Sequence, residues 1–127
     1  MRLWNGWGNE DSDLTMELSD GLRALLEALV GPGTALSQAT LNEVIDKVAN
    51  TRLDDHPLIK TDPETRVRHA RGQSLPDWLE MHSGNVDTFP DGVAFPESSD
   101  QVRDLLVHAK ENNLIVIPYG GGTSVVG

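Results

Sequence analysis

The chain has 127 residues, enough for one domain with its own core, and its 38% hydrophobic content argues against wholesale disorder. Ten Lys and Arg stand against twenty Asp and Glu, a formal net charge of -10. Such a surface repels phosphate backbones and anionic membranes at long range, so nucleic acid is not an expected partner. The chain lacks cysteine, which excludes disulfides, thiolate chemistry and Cys-based zinc sites. No apolar run approaches the ~20 residues that span a bilayer. The N-terminus lacks the basic-then-apolar layout of a secretory signal, so a cytoplasmic protein is expected.

The opening Leu3-Trp-Asn-Gly-Trp-Gly8 carries two of the three tryptophans. Its simplest reading is an anchor that holds the terminus against a core; a cap over a ligand pocket is the rival. The acidic Asn9-Glu-Asp-Ser-Asp13 reads as a solvated loop. Ser19 then opens a helix with Leu22, Leu25, Leu26 and Leu29 at i, i+3, i+4 and i+7, ended by Gly31-Pro32. Thr40 opens a second helix with Glu43 as its capping-box partner and Leu41, Val44, Ile45 and Val48 as its apolar face. The short linker between them predicts a helical hairpin packed through these faces.

Leu58 and Ile59 form a short extended piece. Asp62-Pro63 then reads as an N-cap with proline in the first turn of a helix running through Arg66, Val67 and His69. Arg66, Arg68, His69 and Arg71 concentrate positive charge in an acidic chain. They serve either an anion or substrate contact or pairing with the surrounding carboxylates. Ser74 caps the next helix, with Pro76 in its first turn, Asp77 at the box position, Trp78, Leu79 and Met81 as its apolar body and Gly84 as its stop.

After a linker at 86–90 the pattern changes. Residues 91–96 read as a turn and short strand, and Ser98 caps a helix with Gln101 at the box position. Val102, Leu105, Leu106 and Ala109 give that helix its expected buried face, and Asn112-Asn113 ends it. Leu114-Ile-Val-Ile117 reads as a second strand. Strand, helix and strand in about 28 residues are near the minimum for a right-handed parallel crossover. The expected class is therefore α/β, with an N-terminal, mainly helical segment over 1–88 and the start of a second unit over 89–127.

The second strand runs into Tyr119-Gly-Gly-Gly-Thr-Ser-Val-Val-Gly127. Glycines reach positive φ cheaply and have no Cβ to hold an anion away from the backbone. With the hydroxyls of Thr123 and Ser124, this loop can present N–H and O–H donors to a phosphate. It matches neither GxxxxGK[ST] nor GxGxxG. A plain turn or flexible linker is the competing reading. Because a strand and loop with nothing after them look like a domain cut partway through, the function expected is that of a longer protein.

His56, His69, His82 and His108 form no HxxxH or HExxH pattern, so no metal site is expected. GGGTS is not a GxSxG nucleophile elbow, and the carboxylates suggest no acid–base pair. No residue of the chain is singled out as catalytic.

Several segments together resemble the start of the FAD-binding domain of the vanillyl-alcohol oxidase/p-cresol methylhydroxylase superfamily. They are Pro90-Asp-Gly-Val-Ala-Phe-Pro96, Ser99-Asp-Gln-Val-Arg103, the Asn-Asn-Leu helix end and Ile-Val-Ile-Pro-Tyr-Gly-Gly-Gly-Thr-Ser-Val. Trp4-Asn-Gly-Trp-Gly8 and Arg66-Val-Arg-His-Ala-Arg-Gly72 are similar to segments of alkyldihydroxyacetonephosphate synthases and their bacterial relatives. The resemblance implies that Pro118, Tyr119, Gly120, Gly121, Gly122, Thr123, Ser124 and Val125 contact the FAD pyrophosphate. It places the catalytic residues beyond residue 127. Where the ether-lipid synthases carry Arg-Ala-His-Gly-His, this chain reads Arg68-His-Ala-Arg-Gly-Gln73. The implied activity is acyl-to-alkyl exchange on a small-molecule or lipid-precursor substrate by a homo-oligomeric flavoprotein. The rivals are an FAD-linked oxidase or dehydrogenase of a 2-hydroxy acid and a small non-enzymatic helical adaptor.

Overall fold

The computed structural model describes residues 2–11 and 17–124. Its elements are mixed helix and sheet: α1 (Asp20–Val30), α2 (Leu41–Ile45), β1 (Ile59–Lys60), α3 (Pro63–Arg68), α4 (Leu75–Ser83), β2 (Val93–Ala94) and α5 (Ser99–Glu111). The starts of the five helices among the described residues lie where the capping residues put them. Ser19, Thr40, Asp62, Ser74 and Ser98 each accept a backbone N–H in the first turn of their helix, satisfying a donor that has no intrahelical partner. Thr40/Glu43 and Ser74/Asp77 close full reciprocal boxes. At Ser98 the Gln101 side chain instead accepts the N–H of Glu97 at 2.6 Å.

The core lies in the middle of the chain. Val44, Val67, Met81 and Val86 are buried together, with Trp4, Ala39, Leu41, Ile45, Val48, Ala70 and Phe89 packed around them. Removing each such aliphatic side chain from water contributes on the order of 1.5–3 kcal/mol, so a few residues carry much of the stability. Polar staples complete the packing. Lys47 Nζ donates to Gly84 O at 2.6 Å, and Ala39 N donates to His82 O at 2.8 Å. Arg66, only 4% exposed, donates from Nε to Pro90 O at 2.6 Å and from Nη1 to Ala49 O at 2.8 Å. Two chain segments are thereby fastened to α3.

Three expectations about packing are corrected. The α1–α2 hairpin is not formed: every residue of α1 is exposed, Leu22, Leu25, Leu26 and Leu29 included, and α2 packs on α3. Helix α2 is only five residues long, and its buried Val44 already belongs to the central cluster, which leaves no face for α1. On α5 only Ala109 is buried, while Val102 and Leu106 stay exposed.

The third correction concerns the sheet. It has two strands, and they are antiparallel: Ile59 faces Ala94 and Lys60 faces Val93. Residues 114–117 follow α5 as expected but pair with no strand among the described residues, and Ile115 and Ile117 are 90% and 80% exposed. Composition makes this run β-prone, but a strand exists only where a neighbouring ladder takes its N–H and C=O groups. The parallel strand–helix–strand unit is therefore not formed among the described residues. None of the helices among them is long and apolar enough to cross a membrane.

Candidate functional site

Two stretches that stand 48 residues apart meet at one place. The arginine-rich segment leaving α3 forms one wall, and the glycine loop lies on it. Tyr119 Oη donates to Arg71 O at 3.1 Å, and the Tyr119 ring meets the His69 ring edge-on at 5.0 Å between centroids. The Ser124 side chain lies against the α-carbon of Gly72, where any Cβ would collide with it. From the N-terminal hook, Arg2 Nη1 donates to Gly121 O at 3.0 Å. The hook itself is closed by the Arg2–Asn9 bridge and by Leu3 N donating to Gly8 O at 3.0 Å.

Of the tryptophans in the hook, Trp4 packs on the core, whereas Trp7 is exposed. Gly6 is buried beneath the indole of Trp78. The anchoring role therefore belongs to Trp4. Sequence alone did not separate the two, because which indole meets the core depends on segments far along the chain, Trp4 packing on the cluster of Val44, Val67, Met81 and Val86.

A cavity of about 160 Å³ opens between hook, arginine segment and loop. Arg2, Trp4, Arg68, His69, Gln73 and Tyr119 are among its lining residues. Two of its arginines are already engaged. Arg68 pairs with Glu64 at 2.9 Å and Glu10 at 3.4 Å, and donates to Arg2 O at 2.9 Å. Arg71 pairs with Glu80 at 2.8 Å and donates to the carbonyls of Ala70 and Thr88. Of the two readings of this positive cluster, pairing with carboxylates holds for Arg68 and Arg71. Arg66 does neither; it caps backbone carbonyls inside the core.

His69 has a defined orientation. Its Nδ1 is 2.7 Å from Thr65 O, a pure acceptor, so Nδ1 carries a proton. Its other face meets Phe95 edge-on at 5.3 Å. Burial pushes the Tyr119 phenol above its ordinary pKa against the opposing influence of Arg2, which keeps it protonated and a donor. Gln73 Oε1 is buried without a hydrogen-bond partner among the described residues, leaving an acceptor at the cavity wall. No spacing rule would have found Gln73, because its isolation depends on which segments close over it.

The loop residues divide into two groups. Gly120 and Gly121 are exposed, with no collision awaiting a Cβ, so an anion can approach their backbone. The N–H groups of Gly120, Gly121 and Gly122 make no hydrogen bond among the described residues. Gly122 has φ 66° and lies under the Tyr119 ring, so a side chain is excluded there by conformation and by space. Pro118 and Thr123 are exposed, and Thr123 Oγ1 has no partner among the described residues. The Ser124 side chain is turned onto Gly72. Val125 lies outside the described residues. Amides without partners among the described residues, two of them with glycine clearance, are donors of the kind a phosphate accepts from, so the loop's chemistry is compatible with an FAD phosphate bridge.

Among the other histidines, the His56 and His108 rings meet at 4.3 Å between centroids, tilted by 44°, joining α5 to the chain before β1. No cluster of three metal-ligating side chains occurs among the described residues.

No protein-family profile matches the chain. It is 36% identical over 69 residues to alkyldihydroxyacetonephosphate synthase of Dictyostelium discoideum, a match covering 54% of this chain and 11% of that protein. Over 103 residues it is 30% identical to Protein Rv2250A of Mycobacterium tuberculosis, covering 73% of this chain and 68% of the relative. A solved structure of alkyldihydroxyacetonephosphate synthase superposes on 98% of the chain with TM-score 0.71 at 23% identity, which establishes a shared fold over 28% of that structure. The chain thus spans about a tenth of the Dictyostelium synthase and somewhat over a quarter of the solved one. In both sequence and fold, then, the chain is similar to a small part of the alkyldihydroxyacetonephosphate synthases.

Proposed function

We propose that the whole protein is an FAD-dependent enzyme of the alkyldihydroxyacetonephosphate synthase type, exchanging an acyl for an alkyl group, and that this chain supplies one wall of its flavin site. The observation that carries the reading is the glycine run 120–122, whose N–H groups make no hydrogen bond among the described residues and whose Gly120 and Gly121 stand beside open space. Pro118, Tyr119, Thr123, Ser124 and Val125 complete the pyrophosphate contact. When bound, FAD supplies the reactive ring system; this chain's residues bind and orient its phosphates. The similarity to named synthases in sequence and fold supports this reading over 2-hydroxy-acid oxidation and over an adaptor role.

The same reading assigns residues 1–88 to a helical segment and 89–127 to the start of the FAD-binding domain, in which 114–117 joins a larger sheet. It also makes a homo-oligomer the working form. The test is direct: purify the whole protein, reconstitute it with FAD and record its flavin absorbance, then supply acyl-dihydroxyacetone phosphate and a long-chain alcohol and assay the alkyl product and the released fatty acid. Protein that stays colourless after reconstitution refutes the cofactor. Yellow protein that oxidises a 2-hydroxy acid and catalyses no exchange refutes the reaction.

A further inference from the structure

We propose that Tyr119 is a positioning residue, whose ring and hydroxyl fix the direction in which the free amides of the glycine loop point. This deepens the FAD reading and rests on it.

Among the described residues the loop has little of its own to hold it. No ladder reaches it, and its backbone receives one hydrogen bond, from Arg2 to Gly121 O. Tyr119, by contrast, is held on three sides. Its hydroxyl donates to Arg71 O at 3.1 Å. Its ring packs edge-on against His69, which is itself pinned by Thr65 O and Phe95. Its far end covers Gly122, whose missing Cβ and positive φ allow the chain to fold back over the phenol.

Arg71, whose carbonyl takes the Tyr119 hydrogen bond, is itself paired with Glu80 and donates to Ala70 O and Thr88 O. At its start the loop therefore takes its orientation from the α3 exit segment through the Tyr119 side chain, while Ser124 touches Gly72 at its far end. A merely space-filling residue would need the ring but not the hydroxyl. The half-buried donor paired with a backbone carbonyl marks a position where direction as well as volume is set.

The test uses the whole protein with Tyr119→Phe, Tyr119→Leu and Arg2→Ala. FAD affinity is read by flavin fluorescence, and the rate of proteinase K cleavage within 118–124 is read by mass spectrometry without FAD. Losing the hydroxyl alone is expected to weaken FAD binding and speed loop cleavage by about fivefold. Losing the ring as well raises both to roughly thirtyfold, so Phe rescues part of the Leu defect. Arg2→Ala gives a smaller change of the same sign. Cleavage in Tyr119→Leu at the wild-type rate overturns the proposal whether or not FAD binds. Wild-type protein that takes up no FAD sinks the cofactor reading, and the cleavage rates then decide alone whether Tyr119 anchors the loop.

Discussion

Replacing Arg66 with alanine removes a guanidinium from the interior and strands two carbonyl oxygens, Pro90 O and Ala49 O, that it holds at 2.6 and 2.8 Å. Hydrogen bonds to charged groups are worth about 1.5–3 kcal/mol each, so the pair amounts to roughly 3–6 kcal/mol. Domains of this kind have on the order of 5–15 kcal/mol in total, so the loss is a large fraction of stability. For a domain near this length the corresponding fall in Tm is roughly 10–25 °C. Thermal melts followed by circular dichroism at 222 nm read it directly. Arg66→Lys is the informative companion, because a single ammonium lacks the fork that reaches both carbonyls, and about half the loss should return. If Arg66→Ala melts within about 3 °C of wild type, well under the expected loss, the staple is not what holds α3 to its neighbours.

Three further outcomes are expected. Ser74→Ala deletes the hydroxyl of the α4 capping box and should cost about 1 kcal/mol by denaturant titration. The carboxyls of Asp62 and Asp91 titrate below their ordinary range, the first through the backbone N–H of Thr65 and the second through the Arg52 guanidinium. Their contribution is complete above the unfolded value near ~4 and is lost as pH falls through the folded one, so Tm should decline from about pH 5 downward. Asp62→Asn, which can still cap, and Asp91→Asn should each flatten that decline; unchanged acid slopes would count against both attributions. In the 127-residue chain by itself, replacing Ile115 and Ile117 together with lysine should leave stability within about 0.5 kcal/mol while reducing self-association in sedimentation runs, since both side chains are exposed there. A cooperative loss of fold would show instead that this run packs somewhere.

Local chemistry was legible in the chain itself. The five caps, the stops at Gly31 and Gly84, the short strands near Ile59 and Val93 and the donor-rich loop all depend on neighbours within a few residues. Such signals survive any change in the rest of the molecule. Partners were not legible in this way. An amphipathic stripe such as that of α1 says that a face wants burial and says nothing about what buries it, and here every residue of α1 is exposed among the described residues. A β-prone run such as 114–117 likewise specifies a strand only when another chain segment offers a ladder. The meeting of Arg71 and Gly72 with Tyr119 and Ser124 is a long-range fact of the same kind. The sequence determined which groups could donate to an anion. Tertiary packing decided which arginines were already committed, which tryptophan anchored the terminus and which way the glycine loop faced, because each depends on contacts closed over dozens of residues.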